Sequence, residues 1–195
     1  MNRITRRLAA ALIGVALCAA GTTAFAAEAP RVKFATTAGD FVVEVYPDKA
    51  PRTVDNFLQY VRDKHYDGTV FHRVIDNFMI QGGGMDANMN ERPSRPPIKH
   101  EGREAMAKGL RNQAGYLAMA RTNDPDSASA QFFINVKDNA FLDPTPDKPG
   151  YTVFGKVVSG MDVINKIRAV KTGSKGMYQD VPVTPVAIMS ATIVK

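Results

Sequence analysis

The residues able to do chemistry concentrate between Phe71 and Gly84, FHRVIDNFMIQGGG. Two short apolar runs, Thr69–Ile75 and Phe78–Gly82, are separated by Asp76-Asn77, a turn signal. Arg73 lies inside the first run and Gln81 closes the second. A polar residue in an apolar strand usually belongs to a solvated face. Here period-two alternation sets Met79 and Gln81 on one side of their strand, so a long cation, a thioether, the Phe78 ring and an amide converge on one patch. That patch suits a ligand with an apolar body and a carbonyl or amide to be gripped. Gly82, Gly83 and Gly84 are not followed by Lys-Ser/Thr and a helix start, so they mark a strand-end turn or bulge and not a phosphate loop.

A second polar–apolar stretch is QFFIN. Gln131, Phe133 and Asn135 point one way, Phe132 and Ile134 the other. The Phe132/Ile134 face reads as core, leaving Phe133 and Gln131 for a ligand, although alternation alone also allows both phenylalanines to be core. Other chemistries find no constellation. His65, His72 and His100 are the only histidines, and no pair has helical metal-ligand spacing. His72 faces away from Arg73 on a strand and reads as a hydrogen-bonded structural residue. No serine sits in a nucleophile elbow. Asp48, Asp55, Asp63 and Asp67 are scattered without a partner acid, and the acids of Asn123-Asp124-Pro125-Asp126 read as solvated turn residues.

The elements that must position these groups are mostly strands. Arg31–Thr36 and Phe41–Tyr46 flank Ala38-Gly39-Asp40, a hairpin signal. From Pro51 to Asp63, residues Val54, Phe57, Leu58 and Val61 recur at i, i+3, i+4 and i+7, one face of a helix, with Pro51 in its first turn. After the two signature strands, Met85 to Asn112 is polar and proline-bearing and reads as a long surface loop, a length uncommon unless functional. Strands are expected at Tyr116–Ala120, Gln131–Asn135, Val153–Val158 and Val186–Ile193, with a second amphipathic helix at Met161–Val170. Eight strands and two helices joined by loops and hairpins predict a mainly β fold: a closed eight-stranded antiparallel barrel capped by two α-helices.

The first 26 residues are expected to be a cleavable signal peptide and 27–195 a single domain. Arg3, Arg6 and Arg7 form a positive start, Leu8–Ala20 is an uncharged apolar run, and Ala24-Phe25-Ala26 has the form of a cleavage site. The run is 13 residues long, against the roughly 20 a spanning helix needs. Cys18, the one cysteine, follows Leu17, which is too large for a lipoprotein site, and it leaves with the leader. The remainder then has no thiol or disulfide chemistry, consistent with an oxidising compartment. Subtracting the three leader arginines from the overall charge of +6 leaves +3. With no Lys/Arg run interleaved with aromatics, this mild positive charge is no argument for nucleic acid, and no nucleic-acid partner is expected.

The Phe71–Gly84 stretch, together with LAMARTNDPDSASAQFFINVKDNAFLD (Leu117–Asp143) and YTVFGKVVSGMDVINKI (Tyr151–Ile167), resembles the cyclophilin family of prolyl cis/trans isomerases. The resemblance runs from about Arg31 to Lys195, and its wording is closest to the bacterial exported cyclophilins. It implies an eight-stranded barrel with two helices, needing neither cofactor nor metal. It also implies a monomer in the periplasm acting on proline-containing segments of unfolded or partly folded exported proteins, without a membrane span after cleavage. By the same resemblance Arg73 is the catalytic arginine, and Gln81 is expected to hold it. Phe78, Met79, Phe133 and Leu142 receive the proline ring. Gln131 and the main chain around Ala120, Arg121 and Thr122 grip the peptide backbone. Phe141 stands where the family commonly has a tryptophan and Tyr151 where it commonly has a histidine, which bears on inhibitor binding and some substrate contacts. Two other readings share these residues: a peptide-binding chaperone with incidental isomerase activity, and a barrel holding a non-peptide ligand. The latter needs a roomy interior, which Phe132, Ile134, Phe154, Val157 and Ile188 are bulky enough to fill.

Overall fold

The structure is a computed structural model and describes residues 28–194, so the expected leader lies outside the described residues. It contains ten strands and three α-helices. The strands are β1 (Arg31–Thr36), β2 (Gly39–Val45), β3 (Phe71–Ile75), β4 (Met79–Gly82), β5 (Tyr116–Met119), β6 (Phe132–Asn135), β7 (Val153–Ser159), β8 (Thr172–Lys175), β9 (Tyr178–Pro182) and β10 (Ile188–Val194). The helices are α1 (Pro51–Arg62), α2 (Gly102–Ala107) and α3 (Met161–Arg168).

Eight strands form one antiparallel sheet in the order β10-β1-β2-β7-β5-β6-β4-β3. The expected closed ring is not confirmed. The ladder ends at β3 and β10, so the sheet is an open half-barrel. Its edges meet at the isolated bridge between Val70 and Ala187 and through nearby bonds, Phe71 N to Val186 O at 3.0 Å, Ile188 N to Thr69 O at 2.8 Å and Gly68 N to Ile188 O at 2.7 Å. The expectation of two helices also fails, because α2 interrupts the stretch read as a loop. Its buried face is only Gly102 and Ala105, too short a pattern for periodicity to register. The β8–β9 hairpin, a separate two-stranded sheet packed against β3, was likewise not expected.

The concave interior is apolar and full. Phe34 and Phe41 stack at 4.9 Å, and Phe57 contacts Phe34, Phe132 and Phe154. Phe132, Ile134, Phe154, Val157 and Ile188 are all buried, as their bulk suggests. The α1 positions Val54, Phe57, Leu58 and Val61 are buried as its period requires. Its N-cap is Ala50, which has no side-chain acceptor for the free N–H groups of the first turn. Buried Glu101 supplies it, accepting from Arg52 N at 3.1 Å and from Thr53 N and Oγ1 at 2.7 Å each.

Candidate active site

Three neighbouring strands place the site. In the ladder Arg73 on β3 pairs with Gln81 on β4, and Gln81 pairs with Phe133 on β6. Partners in a sheet share a face, so cation, amide and aromatic ring lie in one row across it. The row's register follows from the interior residues. Val74, Ile80, Phe132 and Ile134 are fully or almost fully buried, and a one-residue slip would turn them out and the site residues in.

The row borders a cavity of about 120 Å³ lined by Arg73, Phe78, Met79, Gln81, Ala120, Arg121, Phe133, Leu142 and Tyr151. Met79, Phe133 and Leu142 are buried and supply apolar walls. A contiguous depression of about 200 Å³ shares Gln81, Ala120 and Arg121 with it and adds Thr122 and Gln131. The structure thus gathers most of the residues expected from sequence and divides them between an apolar hole and a polar shelf. Phe141 is the exception: it lies outside both linings, 69% exposed, stacked on Phe78 at 5.6 Å. A separate cavity of about 220 Å³ lies beneath β8–β9, and Arg73, Gln81 and Phe133 do not line it.

Local bonds fix the walls. Arg121 donates to Gly150 O from Nε at 3.1 Å and from Nη2 at 2.8 Å, and its guanidinium lies 4.6 Å from the Tyr151 ring centre. Tyr151 in turn meets Phe133 edge-on at 5.4 Å. The Arg121 charge is therefore committed to the scaffold. Behind the pocket runs a buried amide chain in which Asn139 Nδ2 donates to Phe78 O and to Asn135 Oδ1, each at 2.8 Å, and Asn112 Nδ2 donates to Asp143 Oδ1 at 2.8 Å. Sequence reasoning missed this chain, because its members are far apart and carry no motif.

Two expectations require correction. Gln81 does not bond Arg73: its Nε2 donates to Gln131 Oε1 at 2.9 Å. Arg73 instead lies 4.0 Å from Asp180 on β9, a residue nothing in the sequence singles out. His72 is buried, but its Nδ1 has no hydrogen-bond partner. Burial pushes its pKa down to about 4, with the Arg73 charge assisting and the Val70 backbone opposing.

The glycines also acquire a role. Gly83 has φ +86, and a Cβ there would strike Tyr66 and Phe132. A Cβ on Gly84 would overlap the Gln131 side chain, so Gly84 leaves the room in which Gln131 lies.

Chemically, the cavity lining holds no histidine, aspartate or glutamate. It offers shape, an amide shelf and one guanidinium without a hydrogen-bond partner among the described residues, which suits charge stabilisation and not proton transfer. No three His, Cys, Asp or Glu side chains among the described residues are grouped to hold a metal, and no described helix is long and apolar enough to cross a membrane.

The chain is similar to several known proteins. The family model for cyclophilin-type peptidyl-prolyl cis-trans isomerases matches residues 31–193. A peptidyl-prolyl cis-trans isomerase of Streptomyces antibioticus is 56% identical over 165 residues, covering 83% of this chain and 97% of its own. The peptidyl-prolyl cis-trans isomerase A of Dickeya dadantii is 47% identical over 193 residues, covering 98% of this chain and 100% of its own. The crystal structure of a cyclophilin-type isomerase from Cryptosporidium parvum has the same fold, with a TM-score of 0.69 at 24% identity, covering 86% of this chain and 98% of that one.

Proposed function

This chain belongs to the cyclophilin-type peptidyl-prolyl cis-trans isomerases, and we propose that it isomerises X–Pro bonds in exported proteins by binding the twisted amide better than the planar one. The peptide bond resists rotation by about 18–20 kcal/mol because the nitrogen lone pair is delocalised into the carbonyl. At X–Pro the two ground states differ by only about 0.5–1 kcal/mol, so the barrier alone makes the reaction slow. Catalysis requires contacts that strengthen as the bond twists. When it twists, the proline nitrogen turns pyramidal and regains its lone pair. A guanidinium aimed at that nitrogen gains a hydrogen bond only then.

Arg73 at the mouth of an apolar hole is the observation that carries this reading. Phe78, Met79, Phe133 and Leu142 seat the proline ring. Gln131 and the backbone from Ala120 to Thr122 hold the flanking peptide on the polar shelf, and Arg73 meets the nitrogen. No covalent intermediate and no proton transfer is needed.

Turnover of a proline-containing peptide by exchange NMR, beside peptide affinity by titration, tests the assignment. Arg73→Ala should lower turnover roughly 10²–10³-fold, the loss seen when one charge-stabilising donor is removed, with affinity changed far less. Parallel losses in both quantities would reduce Arg73 to a binding contact and favour a peptide-binding chaperone.

The site of action is read from residues 1–26: a positive start, a short apolar run and Ala24-Phe25-Ala26. The match to the D. dadantii relative spans 98% of this chain and so extends into that segment. On this reading 27–195 is one domain released into the periplasm, and mass spectrometry of the exported protein should find an N-terminus at or near Ala27. Recovery of the intact Met1 chain from the envelope would overturn it.

A further inference from the structure

Arg73 has a long side chain that is 44% exposed, and its cross-strand neighbour Gln81 does not hold it. Among the described residues, the one carboxylate in ion-pairing reach is Asp180, whose Oδ2 lies 4.0 Å from Arg73 Nε. A contact on Nε leaves the two terminal nitrogens of the guanidinium available to a ligand.

Asp180 is not on a free tip. It lies within β9, next to buried Val181, in a hairpin packed along β3. The hairpin is closed at its base by Val183 N to Lys171 O at 2.9 Å and tied to a distant segment by Lys175 Nζ to Ala87 O at 2.8 Å. Ser174 Oγ also donates to Gln179 Oε1 across it at 2.7 Å. Asp180 has φ +59, in the left-handed region that aspartate and asparagine tolerate and most other side chains avoid. Such conformations persist where the surroundings over-determine them, and they cluster at functional sites. Here that backbone sits on a braced strand whose carboxylate is next to the one uncommitted cation of the cavity.

We propose that Asp180 is a positioning residue for isomerisation: its carboxylate restricts the Arg73 side chain to the orientation that meets the twisted amide. The proposal rests on Arg73 stabilising that amide. Both side chains are about half exposed, which limits the pair to a modest effect, roughly a two- to fivefold change in turnover.

The test is a double-mutant cycle on the exported protein. Asp180→Asn keeps the shape and the tolerance for positive φ while removing the charge, and Asp180→Gly keeps the backbone while removing the side chain. Each should lower peptide turnover about two- to fivefold with affinity unchanged within about twofold. Neither should lower turnover further in the Arg73→Ala background. The Arg73 Nε–H resonance should shift or broaden in Asp180→Asn. Unchanged or raised turnover in both variants would overturn the proposal, as would an equal loss with Arg73 already removed. If Arg73→Ala itself left turnover intact, the assignment of Arg73 would fail first, whatever Asp180 does.

Discussion

Gln81 faces Arg73 directly across the β3–β4 ladder, yet its side-chain amide donates to Gln131, 2.9 Å away, and not to the guanidinium. The two glutamines thus form a unit on the polar shelf, separate from the cation. Gln81→Ala should therefore weaken peptide affinity more than turnover. Losing one neutral hydrogen bond is worth about 0.5–1.5 kcal/mol, or roughly 2- to 13-fold in affinity. The effect should be non-additive with Gln131→Ala, since either change removes the same bond. Additive losses by titration calorimetry would show that the bond does not organise the shelf.

Gly84→Ala should act through Gln131. The added Cβ overlaps that side chain, forcing it from its rotamer at a cost of about 0.5–1.5 kcal/mol. Peptide affinity should fall by the corresponding 2- to 13-fold, and the same substitution should do nothing more once Gln131 is alanine. A loss that persists in Gln131→Ala would locate the effect in the backbone.

Stability and catalysis should depend differently on pH. Folded His72 has a pKa near 4, against about 6.5 when unfolded, and His65 and His100 are lowered in the same direction, mainly by burial. Between these values the unfolded chain binds more protons than the folded one, so stability rises with pH and is lost on acidification. The His72 contribution is complete above about pH 6.5 and lost by about pH 4, an effect on the order of 3 kcal/mol. Thermal midpoints should drop across that window, and less steeply in His72→Gln. Turnover of the folded enzyme should stay nearly flat from about pH 6 to 8, because no assigned catalytic group titrates there. A limb near 6.5 in the rate profile would bring a histidine into the mechanism.

Phe141 bears on inhibition by cyclosporin. By the family resemblance, Phe141 stands where a tryptophan would supply an indole N–H to the drug, and phenylalanine has no donor. Its placement at the exposed rim, stacked on Phe78, argues for the lower part of the 1–3 kcal/mol that a missing partner costs, about five- to tenfold in affinity. Inhibition should be weak and should strengthen by that factor in Phe141→Trp. An unchanged inhibition constant would show that the indole contributes nothing here.

Glu101→Ala should destabilise without altering the site. It strips the acceptor from Arg52 N, Thr53 N and Thr53 Oγ1 at the start of α1. Buried donors left unpaired cost about 1–3 kcal/mol, which for a domain of this size lowers the melting midpoint by about 2–12 °C. Turnover well below that midpoint should match wild type, and a loss there would give Glu101 a part in the site.

Much of the fold was visible in the chain itself, because it depends on local period and punctuation. The alternation of β1 and β2, the apolar stripe of α1 and the Asp76-Asn77 turn each appear where the residues require them. The convergence of Arg73, Phe78, Met79 and Gln81 was equally local, since a hairpin of two strands can have only a few registers. What the sequence could not determine depends on contacts between distant segments of comparable strength. Short α2 has too few buried positions to show a period, and whether the sheet closes depends on how β3 and β10 meet. The amide of Gln81 had two partners in reach, the cross-strand Arg73 and the distant Gln131. Only the tertiary structure, with Gly84 leaving room for Gln131 and β9 bringing Asp180 to the guanidinium, decided between them. Strand alternation sets the face on which a side chain emerges, but its hydrogen-bond partner is chosen by whichever group the folded chain brings within about 3 Å.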